Sequence, residues 1–139
     1  MAYWLFKSEP SSWSWQNQLD KGAAGEGWDG VRNYQAANNM KAMALGDLGF
    51  FYHSVAEKQI VGIVEIIETY HRDPTDASGR FGMVRIAAKA PIHTAVTLAM
   101  IKAEPALQDL ALIKQSRLSV VPIGADHWRI ILKMANTTL

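Results

Sequence analysis

The chain has no cysteine among its 139 residues. That excludes a disulfide framework, a thiolate zinc site and a cysteine nucleophile. It also suits a reducing compartment, so a cytoplasmic protein is expected. Charge of one sign is equally scarce, with 14 basic residues against 13 acidic and a net charge of +1. A protein that grips a long duplex through its phosphates carries a clear basic excess. A nucleic-acid binder with so little excess must use a local pocket and a few arginines, and its salt dependence should be shallow. No apolar run is long enough to span a bilayer, since the longest, residues 60–67, holds a Gly and a Glu. The opening MAYWLFKSEP is apolar only over residues 3–6 before Lys7 and Glu9, which does not read as a signal peptide. No membrane partner is expected.

Catalytic and cofactor motifs are missing too. There is no Gly-rich phosphate loop, no G-x-S-x-G elbow and no H-E-x-x-H. His53, His71, His93 and His127 fall at spacings that match no metal motif. Neither a metal nor a cofactor is expected, and enzyme chemistry has little footing. Repeats, low-complexity tracts and linkers are also absent, so residues 1–139 read as a single domain.

What is present is an unusual share of tryptophan, five in all, with Trp4, Trp13, Trp15 and Trp28 in the first 28 residues. The order of elements is mixed α+β. Residues 2–7 form an aromatic-rich strand. Pro10, Ser11 and Ser12 break it and open a short, serine-capped helix through Leu19. Residues 21–30, with four glycines, are loop. Asn33 caps a helix to about Leu45, in which Ala36, Met40 and Met43 share a face and Gly46 marks the stop. Residues 48–54 are a strand. Residues 59–70, apolar at nearly every position, form a central strand covered on both faces. The segment RDPTDASGR (72–80) is a polar turn. In residues 81–90, Val84, Ile86, Ala88 and Ala90 face in while Arg85 and Lys89 face out. Helices follow at 97–103 and 106–112, then a strand at 117–123. Trp128, Ile131, Leu132 and Ala135 fit one face of a C-terminal helix.

Three segments carry polar residues that folding alone does not require. Lys7-Ser8-Glu9 ends the first strand, where side chains can converge on a pocket mouth or simply meet solvent. In Trp28-Asp29-Gly30-Val31-Arg32-Asn33-Tyr34, a Trp in a Gly-rich loop can stack on a flat ligand. The helix start behind it offers free N–H groups, and Arg32 can clamp an anion bidentately. The plainer alternative has Trp28 plugging the core while Arg32 pairs with Asp29 or Asp47. In Ser116-Arg117-Leu118-Ser119, Leu118 points inward and Arg117 and Ser119 face the other way, onto open surface or a cleft. Tyr52-His53-Ser54 poses the same question.

Five blocks join these segments: YWLFKSEP at 3–10, WDGVRNYQAA at 28–37, GDLGFFYHS at 46–54, GIVEI at 62–66 and RLSVVPI at 117–123. In order and over nearly the whole chain they resemble the EVE-domain family of the PUA-like superfamily. The resemblance implies a PUA-like fold, a twisted and mostly antiparallel β-barrel with peripheral helices. It also implies a reader of a modified nucleobase, chiefly modified cytosine in DNA, with RNA as the alternative partner. Carried over by position, Trp28 would be an aromatic wall and Lys7, Ser8 and Glu9 would border the pocket. Arg32, Asn33 and Tyr34 would line it or meet the flanking backbone. Ser54, Arg117 and Ser119 would close the far side. Phe51, Tyr52, Trp13 and Trp15 are the candidates for a second wall.

Two other classes compete. A small hydrolase could be drawn from His53 and Ser54 with Glu9 or Glu65, although adjacent strand residues point to opposite faces. A protein-docking module could use Trp4, Trp13 and Trp15 as an apolar patch.

Overall fold

In a computed structural model describing all 139 residues, strand β1 (Tyr3–Ser8) buries Trp4, Leu5 and Phe6 in succession. A strand does this only where both its faces are covered. β1 lies between β3 (Leu48–His53), which runs parallel to it, and β6 (Val120–Ile123), which runs antiparallel. β3 pairs with β4 (Gln59–Arg72), β4 with β5 (Gly82–Thr97), and β5 with the two-residue strand β2 (Glu26–Gly27), all antiparallel. The resulting order, β2-β5-β4-β3-β1-β6, is the expected mixed α+β architecture with a mostly antiparallel sheet. β2 and β6 stand at its two ends, so no backbone ladder closes the barrel.

Five helices pack around the sheet: α1 (Trp15–Asp20), α2 (Tyr34–Lys41), α3 (Leu98–Ala103), α4 (Ala111–Lys114) and α5 (Ala125–Met134). Three of the starts have a local cause. Ser14, Asn33 and Thr97 cap α1, α2 and α3 by accepting from the backbone N–H three residues on. The face predicted for α5 holds, with Trp128, Ile131 and Ala135 buried. The Trp128 ring stacks between Tyr3 (4.5 Å) and Phe50 (4.0 Å), fastening the helix to β1 and β3.

Several boundaries differ from expectation. α2 stops at Lys41 and not near Leu45, because the buried Asp47 draws the chain into a turn. Its carboxylate accepts from the Ala44 amide (3.0 Å), the Trp4 indole (3.1 Å) and the Ala2 amide (3.2 Å). Met43 still reaches the core. The expected loop 21–30 contains a 3₁₀ turn (Gly22–Ala24) and β2. Gly25 allows this: its φ is +66°, and a Cβ there would lie 2.3 Å from the Ile86 carbonyl oxygen. β5 runs to Thr97, beyond residue 90, and one extra residue bulges at Lys89. Ala87 is buried beside Ile86, while Ala88 and Ala90, expected to face in, are only half-buried. The helix predicted at 106–112 divides into a 3₁₀ turn (Pro105–Leu107) and α4, and the strand predicted from residue 117 begins at Val120.

Two contacts position the site. A Cβ on Gly62 would lie 2.3 Å from the Trp15 ring, so the indole rests directly on the β4 backbone and sets the height of α1. The turn between β4 and β5 is organised by the buried carboxylates of Asp73 and Asp76. No helix is long and apolar enough to cross a membrane.

Candidate functional site

The gap left by the two edge strands is a cleft of about 440 Å³, within the roughly 300–1,000 Å³ usual for small-ligand sites. One wall comes from the end of β1, as Lys7, Ser8 and Glu9, and from the turn after it, as Ser12 and Trp13. The other comes from β2 and its continuation, Glu26 through Arg32, and Ser119 before β6 completes the rim.

The Trp28 wall is held from three sides. Its amide donates to the Val84 carbonyl (2.7 Å), prolonging the β2–β5 pairing. Its ring meets Phe6 (5.3 Å) and Phe51 (5.9 Å) edge to face, leaving the indole partly exposed to the cleft. Two residues on, the Gly30 amide donates to Asp73 Oδ2 (2.9 Å). Arg32 donates to the same oxygen (3.1 Å), to the Val31 carbonyl (3.1 Å) and to Thr75 (3.0 Å). The partner of Arg32 is thus Asp73, neither Asp29 nor Asp47. Of the five guanidinium N–H groups, three are engaged and two remain for a ligand.

Asp73 pulls against its own desolvation, and its hydrogen bonds from Thr75, Gly30 and Arg32 win, bringing its pKa down to about 2. Hydrogen bonding from Ser78 likewise lowers Asp76, which also accepts from the Phe81 amide. The segment that reads as a plain polar turn therefore anchors the Trp28 loop.

Trp13 supplies the second aromatic wall. Its carbonyl accepts from the Ser8 hydroxyl, and its indole N–H donates to Gln18 (3.0 Å). Gln18 is fully buried and donates onward to the Ile86 carbonyl (3.1 Å), so this wall is braced on β5. The other three candidates do not reach the cleft. Phe51 and Tyr52 are buried, and Trp15 lies over Gly62.

The charges in the cleft are mixed. Burial lowers the Lys7 ammonium, which donates to the Ser116 carbonyl (2.9 Å). Burial also raises Asp29, and the nearby Asp73 and Glu26 charges add to the effect while Arg32 opposes it. With Glu9 and Glu26, the cleft presents three carboxyl groups against two cations.

Of the ten residues named from the sequence, Lys7, Ser8, Glu9, Trp28, Arg32 and Ser119 meet at this cleft. The other four lie elsewhere. Tyr34 is mostly exposed and packs on Phe81 (4.9 Å). Asn33 caps α2 and, with Arg117, lines a separate cleft. Ser54 gives its amide to the Ser8 carbonyl (2.9 Å) and bears on the site only through that strand end. The cleft also takes in Glu26, Asp29 and Ser12, which the sequence does not single out: Asp29 lies within the Trp28 segment, while Glu26 carries no local signal. The hydrolase arrangement is not assembled. His53 accepts from the Trp15 amide at Nε2 (3.0 Å) and bonds Glu57 through Nδ1, so both nitrogens are occupied away from Ser54.

Comparison with known proteins adds the following. The EVE domain family matches residues 2–134. Thymocyte nuclear protein 1 of Danio rerio is 33% identical, over 96% of this chain and 71% of that protein. A Rhodopseudomonas palustris protein solved by NMR is 57% identical, with a TM-score of 0.93 over 98% of this chain and 94% of that one. The human THYN1 protein, crystallised in complex with DNA containing 5-methylcytosine, is 28% identical with a TM-score of 0.92, each chain being covered in full (100%).

Proposed function

Because the chain belongs to the EVE-domain family, we propose that it is a single reader domain whose Trp13–Trp28 cleft captures a modified nucleobase, a modified cytosine in DNA. The observation that carries this is the joining of two indoles, three carboxyl groups and two cations in one cleft at the open edge of the sheet. The human relative's complex with 5-methylcytosine-containing DNA supports the choice of base.

The physics is consistent with it. A base that leaves its stack costs a few kcal/mol. Stacking on an indole returns about 1–3 kcal/mol per base. A carboxylate accepts from the exocyclic amine of cytosine, whereas a thymine or uracil carbonyl in the same place would face it with no proton between them. Lys7, Ser8, Glu9, Arg32 and Ser119 supply the remaining contacts, and Asn33, Tyr34, Ser54 and Arg117 stand outside this pocket. The proposal includes no catalytic step, metal or cofactor. A cytoplasmic location goes with it on the cysteine-free composition, and localisation of a tagged chain tests that separately.

The test is a tryptophan-fluorescence titration with short DNA and RNA strands carrying cytosine, 5-methylcytosine, 5-hydroxymethylcytosine, adenine or N6-methyladenine. Selective binding of one modified cytosine is expected, and Trp28→Ala should abolish the selectivity. Matched DNA and RNA strands separate the two partners through the 2′-hydroxyl. Equal affinity for plain and modified strands would refute the proposal.

A further inference from the structure

A second concavity, of about 330 Å³, adjoins the first and differs from it in chemistry. Its polar lining is Asn33, Gln35, Lys114, Gln115, Ser116 and Arg117, with no carboxylate among them. Arg117 makes no ion pair, and the side chains of Gln35 and Gln115 make no hydrogen bond within the chain. Asn33 uses its oxygen on the Ala36 amide (2.9 Å), which leaves its NH₂ group to donate elsewhere. Lys114 pairs only with Asp109 (3.3 Å), at a site where both side chains are mostly exposed and the pairing is weak. The surface is therefore made of hydrogen-bond donors and two cations.

The two clefts share a rim. Arg32 lines the first and its neighbour Asn33 the second. Lys7 of the first cleft donates from Nζ to the Ser116 carbonyl of the second (2.9 Å), and its amide donates to the Ser119 carbonyl (2.9 Å). Between them the charges divide. Glu9, Glu26 and Asp29 in the first would repel a phosphate, while the second is lined by two cations and no carboxylate.

We infer that this second cleft binds the phosphodiester backbone of the strand whose base enters the first, with Arg117 and Lys114 as the phosphate contacts. The inference rests on the base-reading proposal for the role of the neighbouring cleft. Phosphate contacts position a strand and carry no sequence information, so these two residues should set affinity and leave base preference alone.

The experiment compares the wild type with Lys114→Ala/Arg117→Ala and with Lys102→Ala/Lys133→Ala, which removes the same charge from α3 and α5. All four side chains lie on the surface, so folding is not at risk. Each protein is titrated at several salt concentrations with a modified-cytosine single strand, its unmodified twin and an abasic strand of equal length. Losing one phosphate contact on a single strand lowers the log–log salt slope by about 0.7, equivalent to about fivefold in affinity at 0.1 M salt. The Lys114/Arg117 variant should thus lose about 5- to 25-fold on all three strands, keep its modified-to-plain ratio and show a shallower slope. The Lys102/Lys133 variant should match the wild type.

Equal slopes and affinities in the two variants would overturn the inference while leaving base reading intact. If the wild type shows no base preference, base reading fails and the abasic strand decides. Weaker abasic binding in the Lys114/Arg117 variant alone upholds the phosphate cleft. Equal or absent abasic binding removes it.

Discussion

Asp73→Ala tests whether the Trp28 wall is held by the turn between β4 and β5. The Asp73 side chain is fully buried and accepts from the Thr75 amide (2.7 Å) and hydroxyl (2.6 Å), the Gly30 amide (2.9 Å) and Arg32 (3.1 Å). Truncation strands the Gly30 N–H, a part-buried donor, at a cost of about 1–3 kcal/mol. The fall in pKa from 3.8 to about 2 implies up to about 2 kcal/mol of preference for the ionised folded state at neutral pH, less because Arg32 is 39% exposed. These two contributions overlap, so the expected loss is about 2–4 kcal/mol. A domain of ordinary stability, about 5–15 kcal/mol, survives that. Urea denaturation measures the loss, and strand titration measures its consequence. With Gly30 and Arg32 released, Trp28 loses its fixed position and the modified strand should bind about tenfold or more weakly, equivalent to at least 1.4 kcal/mol, although Asp73 does not line the cleft. The control is Asp76→Ala, which removes acceptors for Ser78 and Phe81 but takes no hydrogen bond from the Trp28 loop. If both variants destabilise the fold but affect strand binding equally, the anchoring argument is wrong.

Acid titration should show the same carboxylates from another side. Both folded pKa values are depressed, so the stability they contribute is present above about pH 4 and is lost on acidification, for Asp73 as pH falls through about 2; Asp73→Ala should flatten a denaturation profile in that window. Asp29 has the opposite sign, its raised pKa marking a cost of ionisation in the folded state. Asp29→Asn should therefore raise the Tm at pH 7, and the difference from wild type should vanish at about pH 3, where the carboxyl is protonated folded or unfolded. Gly62→Ala forces the Trp15 ring off β4 and should cost about 1–3 kcal/mol. The same substitution in a Trp15→Ala background should cost much less, and additive losses would show that the contact is not what Gly62 serves.

How much of this was legible depends on the range of the interaction. The cap at Asn33, the face of α5 and the strand character of β1, β3 and β4 were open to sequence reasoning, because each depends on neighbours within a few residues or on a repeating period. The blocks around Lys7, Trp28 and Arg117 carried enough residue identity to mark the family. Other features were closed to it. The partner of Arg32 lies 41 residues away on a turn that looks like ordinary polar punctuation. Met43 keeps its predicted inward position although the helix beneath it has ended, since Asp47 serves Trp4 and Ala2 across the fold. The choice of Trp13 over Trp15 as the second wall turned on a glycine in β4 that admits one indole and on a buried Gln18 that fixes the other. The separation of Arg117 and Asn33 from the Trp13–Trp28 cleft arose in the same way. Local chemistry sets caps, periods and strand runs, and these the sequence determined unaided. Which polar groups share a cavity depends on how sheet edges, turns and loops meet in three dimensions, and only the tertiary structure decided that.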